Sequence, residues 1–355
     1  MNPHRRPHGP LVALCLALLS LWCAAPAQGA PPPEPPTSTL ARVRSRGHLI
    51  CGVNGSLPGF SLQQADRHYS GFDVDFCRAI AAAVLGNADA VDYLPLNAQE
   101  RFPALLQGKI DVLIRNTTWT SSRDAKLELS FAPTTFYDGQ GVLVRAGSGI
   151  DSLADLSGQS ICVQQGTTTE LNLADRLRLQ NIPYNAVIFL NSDLAVEAFL
   201  QGICDAFTTD KSGIASLRSQ FAQPSQYRIL DATLSKEPLG PVVREGDPQW
   251  RDLVTWVVYG LIQAEEYGIT SANVEQVATT SAKAPVRRFL GASGNLWEAL
   301  GLDAAAIRRA IAQVGNYGEI YRRNLGPGSN TEIPRGLNRL FSDGGLLYAP
   351  PAGPR

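Results

Sequence analysis

The sequence predicts an α/β protein of two similar lobes joined by a two-strand hinge, with a helical C-terminal extension. Three observations carry this. Strand-like and helix-like stretches alternate through the first two thirds of the chain, the pattern of a mainly parallel sheet covered by helices. Two segments echo one another: LLQGKIDVLI (105–114) and FLQGICDAFT (199–208) share an apolar run, Gln-Gly, a two-residue spacer, Asp and an apolar strand. Finally, EPLGPVVREGD (237–247) has the composition of the extended segment at 140–145, so the chain crosses between lobes twice.

The N-terminus reads as an export signal. His4, Arg5 and Arg6 precede an apolar run of 12 residues, Leu11 to Trp22, followed by small residues from Ala24 to Ala30. That run is short of the roughly 20 residues a membrane-spanning helix needs. Cys23 raises a lipoprotein alternative, but the preceding Trp22 is too large for the usual lipidation site. PPPEPP (31–36) is a tether with no capacity to pack, which gives a signal peptide at 1–29 and a linker at 30–38. No later stretch is apolar enough to span a bilayer.

The folded part opens with HLICGV (48–53), a buried strand bounded by Asn54-Gly55 and Pro58-Gly59. GFDVDFCRAIAAAVLG then places Phe72, Phe76, Ile80, Ala83 and Val84 on one helical face, and Gly86 ends it. Asp73 and Asp75 fall on the polar face of its first turn, where the helix dipole favours them. VDYLPL is a strand, and ERFPALLQGKIDVLI a short helix, a glycine stop and a strand. FYDGQGVLVRAG (136–147) leaves this unit as an extended segment. The second unit repeats the order: a strand, loop and helix start in LSGQSICVQQGTTTE (156–170), the strand NAVIFL (185–190), and a helix and strand in AVEAFLQGICDAFTTD (195–210). After the return segment come helices: RDLVTWVVYGLIQAEEYGI with Leu253, Trp256, Val257 and Leu261 on one face, and AAAIRRAIAQVGNYGEIYRRNLG broken near Gly315. The domains follow as lobe 1 over 39–144, lobe 2 over 145–237, and 238–355 completing lobe 1 and adding the extension, packed outside it.

Bulk chemistry excludes some function classes. With 31 basic against 32 acidic residues, net charge −1, there is no footprint for nucleic acid. Four cysteines lie beyond the signal: Cys51, Cys77, Cys162 and Cys204. An exported chain makes disulfides the default, and their absence from any CxxC spacing argues against a metal. Four cysteines allow three pairings. GxSxG, HExxH and phosphate-loop patterns are absent, and neither His48 nor His68 has an evident catalytic partner. No cofactor is expected.

Three features suit the two charged ends of an amino acid. Arg123 follows the strand DVLI and the polar run Asn116, Thr117, Thr118, at a strand's carboxyl end where open α/β sheets bind ligands. A guanidinium grips a carboxylate through two bonds. Its competing reading is a surface arginine. Gly166, Thr167 and Thr168 lie between a strand and a helix start, where backbone N–H groups favour an anion; Thr167 and Glu170 also read as an ordinary helix cap. Asp210 ends the strand DAFTTD and suits an ammonium group, or else caps the helix KSGIASL.

The long motifs GFDVDFCRAIAAAVLG, RFPALLQGKIDVLIRNTTWTSSRD, CVQQGTTTELNLAD, KEPLGPVVREGD, VGNYGEIYRRNLGPGS and GGLLYAPP resemble the general L-amino-acid-binding proteins of ABC importers, within the family-3 solute-binding proteins. The resemblance runs from about Thr39 to Pro351. It implies a bilobal type II periplasmic-binding fold, with Arg123, Gly166, Thr167 and Thr168 on the ligand carboxylate and Asn116, Thr118 and Asp210 near the ammonium group. It also implies disulfides Cys51–Cys77 and Cys162–Cys204. Narrow-specificity relatives stack an aromatic ring on the ligand where this chain has Leu57; Phe60 or Trp119 stands as the substitute, and a broad range of L-amino acids is the expectation. The function expected is a monomeric periplasmic protein that delivers free amino acids to a membrane permease. The alternatives are an enzyme on this fold, a dehydratase or peptidoglycan lyase with Glu170 as its acid/base, or a sensor domain.

Overall fold

A computed structural model describes residues 38–353. The expected signal peptide and all of the linker but Ser38 lie outside them. Ser38 caps the helix Thr39–Arg46, its hydroxyl accepting from the Ala41 amide at 3.2 Å. This helix went unread in the sequence, because Thr39, Leu40 and Val43 are its whole buried face.

The sheet of lobe 1 has the strand order Val91–Pro95, Leu49–Val53, Val112–Leu113, Val242–Arg244, Leu129–Phe131. The first three run parallel, and Val242–Arg244 is antiparallel to both neighbours. Lobe 2 has the order Asn185–Phe189, Ser160–Gln164, Ala206–Asp210, Phe136–Arg145, Tyr227–Ile229, again three parallel strands followed by an antiparallel one. The two sheets share one plan. The sequence echo maps onto equivalent pieces of it, the end of a helix and the third parallel strand of each lobe. Each sheet is more mixed than the sequence implies, since one strand of the five runs against the other four.

The long strand Phe136–Arg145 belongs to both lobes. Gln140 to Val144 pair with Ala206–Asp210, while Phe136 to Gly139 pair with Lys236–Leu239. These two antiparallel strands are the crossing. After Gly240 the chain enters the lobe 1 sheet at Val242.

The helix Phe72–Leu85 is apolar on almost every side, and such a helix must be covered on every side. One side lies on the lobe 1 sheet. The other is covered by the extension, whose helices Pro248–Glu266, Ala306–Val314 and Tyr317–Asn324 pack on it. Asp73 and Asp75 stand in the first turn of this helix as expected, and both are buried. Asp75 takes bonds from Arg323 Nη2 at 2.7 Å and Asn324 Nδ2 at 2.6 Å. The break between the last two helices is at Gly315, φ 97°, followed by a capping box of Asn316 and Glu319. Tyr317 hydroxyl donates to the Thr135 carbonyl at 2.8 Å, fixing the extension to the foot of the crossing strand.

Disulfides join Cys51 to Cys77 and Cys162 to Cys204, with Cα atoms 6.2 and 5.7 Å apart. The first ties the strand Leu49–Val53 to the helix Phe72–Leu85, and the second lies within lobe 2. A small antiparallel sheet, Ser56–Leu57, Ser61–Gln63 and Tyr69–Ser70, fills what the sequence presents as loops, its strands being too short for an alternating pattern. Among the described residues no helix is long and apolar enough to cross a membrane.

Candidate ligand-binding cleft

From lobe 1, the chain leaves the strand Val112–Leu113 through a polar run held against the crossing strand. Trp119 amide donates to the Pro238 carbonyl at 2.8 Å and Gly240 amide to the Thr117 carbonyl at 3.1 Å. Asn116 adopts φ 41°, a left-handed conformation that asparagine tolerates, and its amide donates to Asp73 Oδ2 at 3.3 Å. Thr120 caps the helix Ser121–Lys126 by accepting from the Arg123 amide at 3.2 Å. That first turn folds Arg123 back, so its Nη1 donates to the Thr118 carbonyl at 2.8 Å and its guanidinium lies 5.3 Å over the Phe102 ring. Arg123 is buried, which disposes of the surface reading.

From lobe 2, Gly166 takes φ 73° and Thr167 caps the helix Thr168–Leu179, accepting from the Glu170 amide at 3.1 Å. Glu170 Oε2 accepts from the Gly166 amide at 2.8 Å, so the capping reading holds as well. Asp210 stands at the cap position of the helix Lys211–Arg218 yet makes no side-chain cap bond. Its carboxyl turns instead toward the space between the lobes.

That space, about 540 Å³ including the part open to solvent, is lined by Asn116, Thr118, Thr167, Thr168 and Asp210. Two further wall residues, Arg101 and Arg115, were not anticipated. Arg123 stands behind Thr118 and feels the charges of Asp210 and Glu237. The lobes touch across the cleft: Thr118 and Thr168 hydroxyls are 3.3 Å apart, and Ser56 hydroxyl donates to Asp193 at 3.2 Å. Gly166 faces Gln99 of lobe 1 rather than the cavity wall.

Glu237, fully buried on the crossing strand, joins both lobes. It accepts from Thr118 of lobe 1 at 2.6 Å, from Thr168 and Asn172 of lobe 2 at 2.9 and 2.8 Å, and from Ser235. An acidic residue inside the apolar segment KEPLGPVV was the signal for it in the sequence. Both substitutes for an aromatic stack are corrected by the structure. Phe60 is in the lobe 1 core, 5.4 Å from Phe136 and 5.9 Å from Phe72, with no exposed surface. Trp119 stacks on Phe131 at 5.5 Å and is not among the cavity's lining residues. Leu57 is the apolar side chain that reaches the cavity from the first loop.

Burial dominates the electrostatics. It pushes the Asp210 carboxyl well above the usual range, helped by the negative charges of Asp138 and Glu237 and opposed by Arg101 and Arg123. Burial likewise raises Asp138 to about 6 and Asp73 to about 7. It lowers Arg123, against the pull of Glu237 and Asp210, and lowers Arg115 to about 10. Uncompensated acids and bases facing one space are groups a ligand of matching charges would satisfy.

Residues 49–272 match the bacterial extracellular solute-binding proteins, family 3. The general L-amino acid-binding periplasmic protein AapJ of Rhizobium johnstonii is 50% identical over 316 residues, 88% of this chain and 92% of the relative. The glutamate/glutamine/aspartate/asparagine-binding protein BztA of Rhodobacter capsulatus is 48% identical over 314 residues, 88% and 93% of the two chains. A solved ABC transporter periplasmic binding protein from Brucella ovis with glutathione bound is 48% identical, with TM-score 0.87 over 89% of this chain and 99% of its own.

Proposed function

This chain belongs to the bacterial extracellular solute-binding proteins, family 3, and from that premise we propose that it captures free L-amino acids between its lobes and delivers them to the permease of an ABC importer. One observation carries the reading. Asp210 of lobe 2, uncapped, lines the same space as Thr118 of lobe 1, and the buried guanidinium of Arg123 stands directly behind Thr118, within reach of the Asp210 charge. Arg123 takes the ligand's α-carboxylate, with Thr167 and Thr168 closing on it, and Asp210 takes the ammonium group beside Asn116 and Thr118. Each ligand charge then meets a group whose isolation in the interior is otherwise unfavourable. The bridged, closed form is the one the ligand binds more tightly, so capture shifts the lobes toward closure. That closed form is what a permease reads.

Capture accounts for the cleft better than catalysis does. Glu170, the carboxylate that an enzyme reading needs as acid/base, is committed to the Gly166 amide and its own helix start. The export signal read in the sequence and the periplasmic relatives support a periplasmic location, and in this reading the chain acts as a monomer. Titration calorimetry of the mature chain against the twenty amino acids, followed by mass spectrometry of the recovered ligand, tests the function. Saturable binding with unchanged ligand is expected. Absence of binding to every amino acid, or recovery of a product, overturns it.

A further inference from the structure

Arg123 and Asp210 suffice for the two ends common to all amino acids, yet the cleft holds two more guanidiniums. Arg101 and Arg115 both line the cavity and are 2% and 5% exposed. Among the described residues neither takes part in an ion pair. Arg115 gives Nε to the Leu96 carbonyl at 2.7 Å, and the buried Nε of Arg101 has no hydrogen-bond partner. Buried guanidiniums are costly without an anion, and here three of them repel one another at close quarters.

The acids nearby do not cancel them. Asp73 supports Arg115 from behind, but its own burial favours the proton. Asp210 is taken by the ligand's ammonium group. Glu237 is surrounded by hydroxyl and amide donors. Arg115 also forms part of the wall of an adjoining cleft of about 750 Å³ including the part open to solvent, which shares Asn54, Gln164 and Ser192 with the first and gives a side chain room to extend. Glu100 and Asp193 stand on its outer wall, but both are solvent-exposed, where their charges are screened.

We infer that Arg101 and Arg115 form a second anion subsite for the ligand's side chain, so that the protein prefers amino acids carrying a side-chain carboxylate over their neutral isosteres and rejects basic ones. This rests on the amino-acid capture proposed above. The test is calorimetry with L-glutamate, L-glutamine, L-leucine and L-lysine on the mature wild type, Arg101→Gln, Arg115→Gln and Arg101→Lys. A charge-assisted pair carries roughly a 10- to 100-fold effect on affinity. Wild type is expected to bind glutamate more tightly than glutamine by about that factor, and lysine most weakly. Either glutamine variant erases the gap between glutamate and glutamine, and Arg101→Lys restores part of it. Wild type that binds glutamine as tightly as glutamate refutes the subsite with no variant needed. So do variants that weaken all ligands alike. If wild type binds none of the four, it is the capture reading that has failed.

Discussion

Replacing Asp210 by asparagine separates what this carboxyl does for the ligand from what it costs the fold. The change keeps the shape and removes the charge. In the complex it leaves the ligand's ammonium group in the interior without its counter-ion, a loss of about 2–5 kcal/mol, or roughly 30- to 5,000-fold in affinity. Without ligand the sign reverses. Asp210 is buried beside Asp138 and Glu237, so its carboxyl is held well above the usual range and the folded protein holds that proton more tightly than the unfolded chain. The stability tied to it is complete below the unfolded value of about 4 and is lost as pH rises through the raised folded value. At pH 7.5 Asp210→Asn is therefore expected to be more stable than wild type by about 1–3 kcal/mol in the absence of ligand, and to show a flatter decline above pH 4. Thermal melts from pH 4 to 8, with and without saturating glutamate, measure both halves. A variant that keeps its affinity, or that is less stable without ligand than wild type at pH 7.5, refutes the placement of an uncompensated carboxyl in the cleft.

Glu237→Gln weakens bonds to both lobes, shifting the ligand-free protein toward an open form by about 1.5–3 kcal/mol; small-angle scattering should record a larger radius of gyration than wild type. Removing Cys51–Cys77 by paired Ala substitution should cost about 3.5 kcal/mol, and removing Cys162–Cys204 about 4, in line with separations of 26 and 42 residues; urea unfolding measures the difference. Phe60→Ala should destabilise by about 3–5 kcal/mol, whereas Trp119→Ala should leave amino-acid affinity within about twofold in calorimetry.

Most elements were legible because their signals are local. The apolar face of Phe72–Leu85, the stop at Gly86 and the break at Gly315 need no partner to be recognised. Asp210 could be proposed for a related reason, since it ends a strand that the sequence marks plainly, whereas Arg123 lies on a short helix beyond the polar run that follows another strand. Arg101 was missed because an arginine opening a short helix after Asn-Ala-Gln-Glu reads as solvated; in the fold it is buried over the Phe102 ring and shares the cleft with Asp210, from far along the chain. The burial of Asp75 was not foreseen on the same account, since Arg323 and Asn324 reach it from the far end of the chain. Phe60 was offered to the ligand because ring chemistry suits stacking, and nothing in its neighbours announces the aromatic cluster that claims it. Glu237 depends on four partners from three separate segments, so its importance exists only in the folded molecule.

The double crossing also governs when each half of the molecule can be finished as the chain emerges N-terminus first. Every strand of the second sheet, with the short strand that braces its longest member, is in hand once residue 239 is out. The first sheet cannot be completed then, although most of its residues have waited since residue 131. Its fourth strand, Val242–Arg244, sits between Val112–Leu113 and Leu129–Phe131, so until it arrives those two strands have a gap where their shared neighbour belongs.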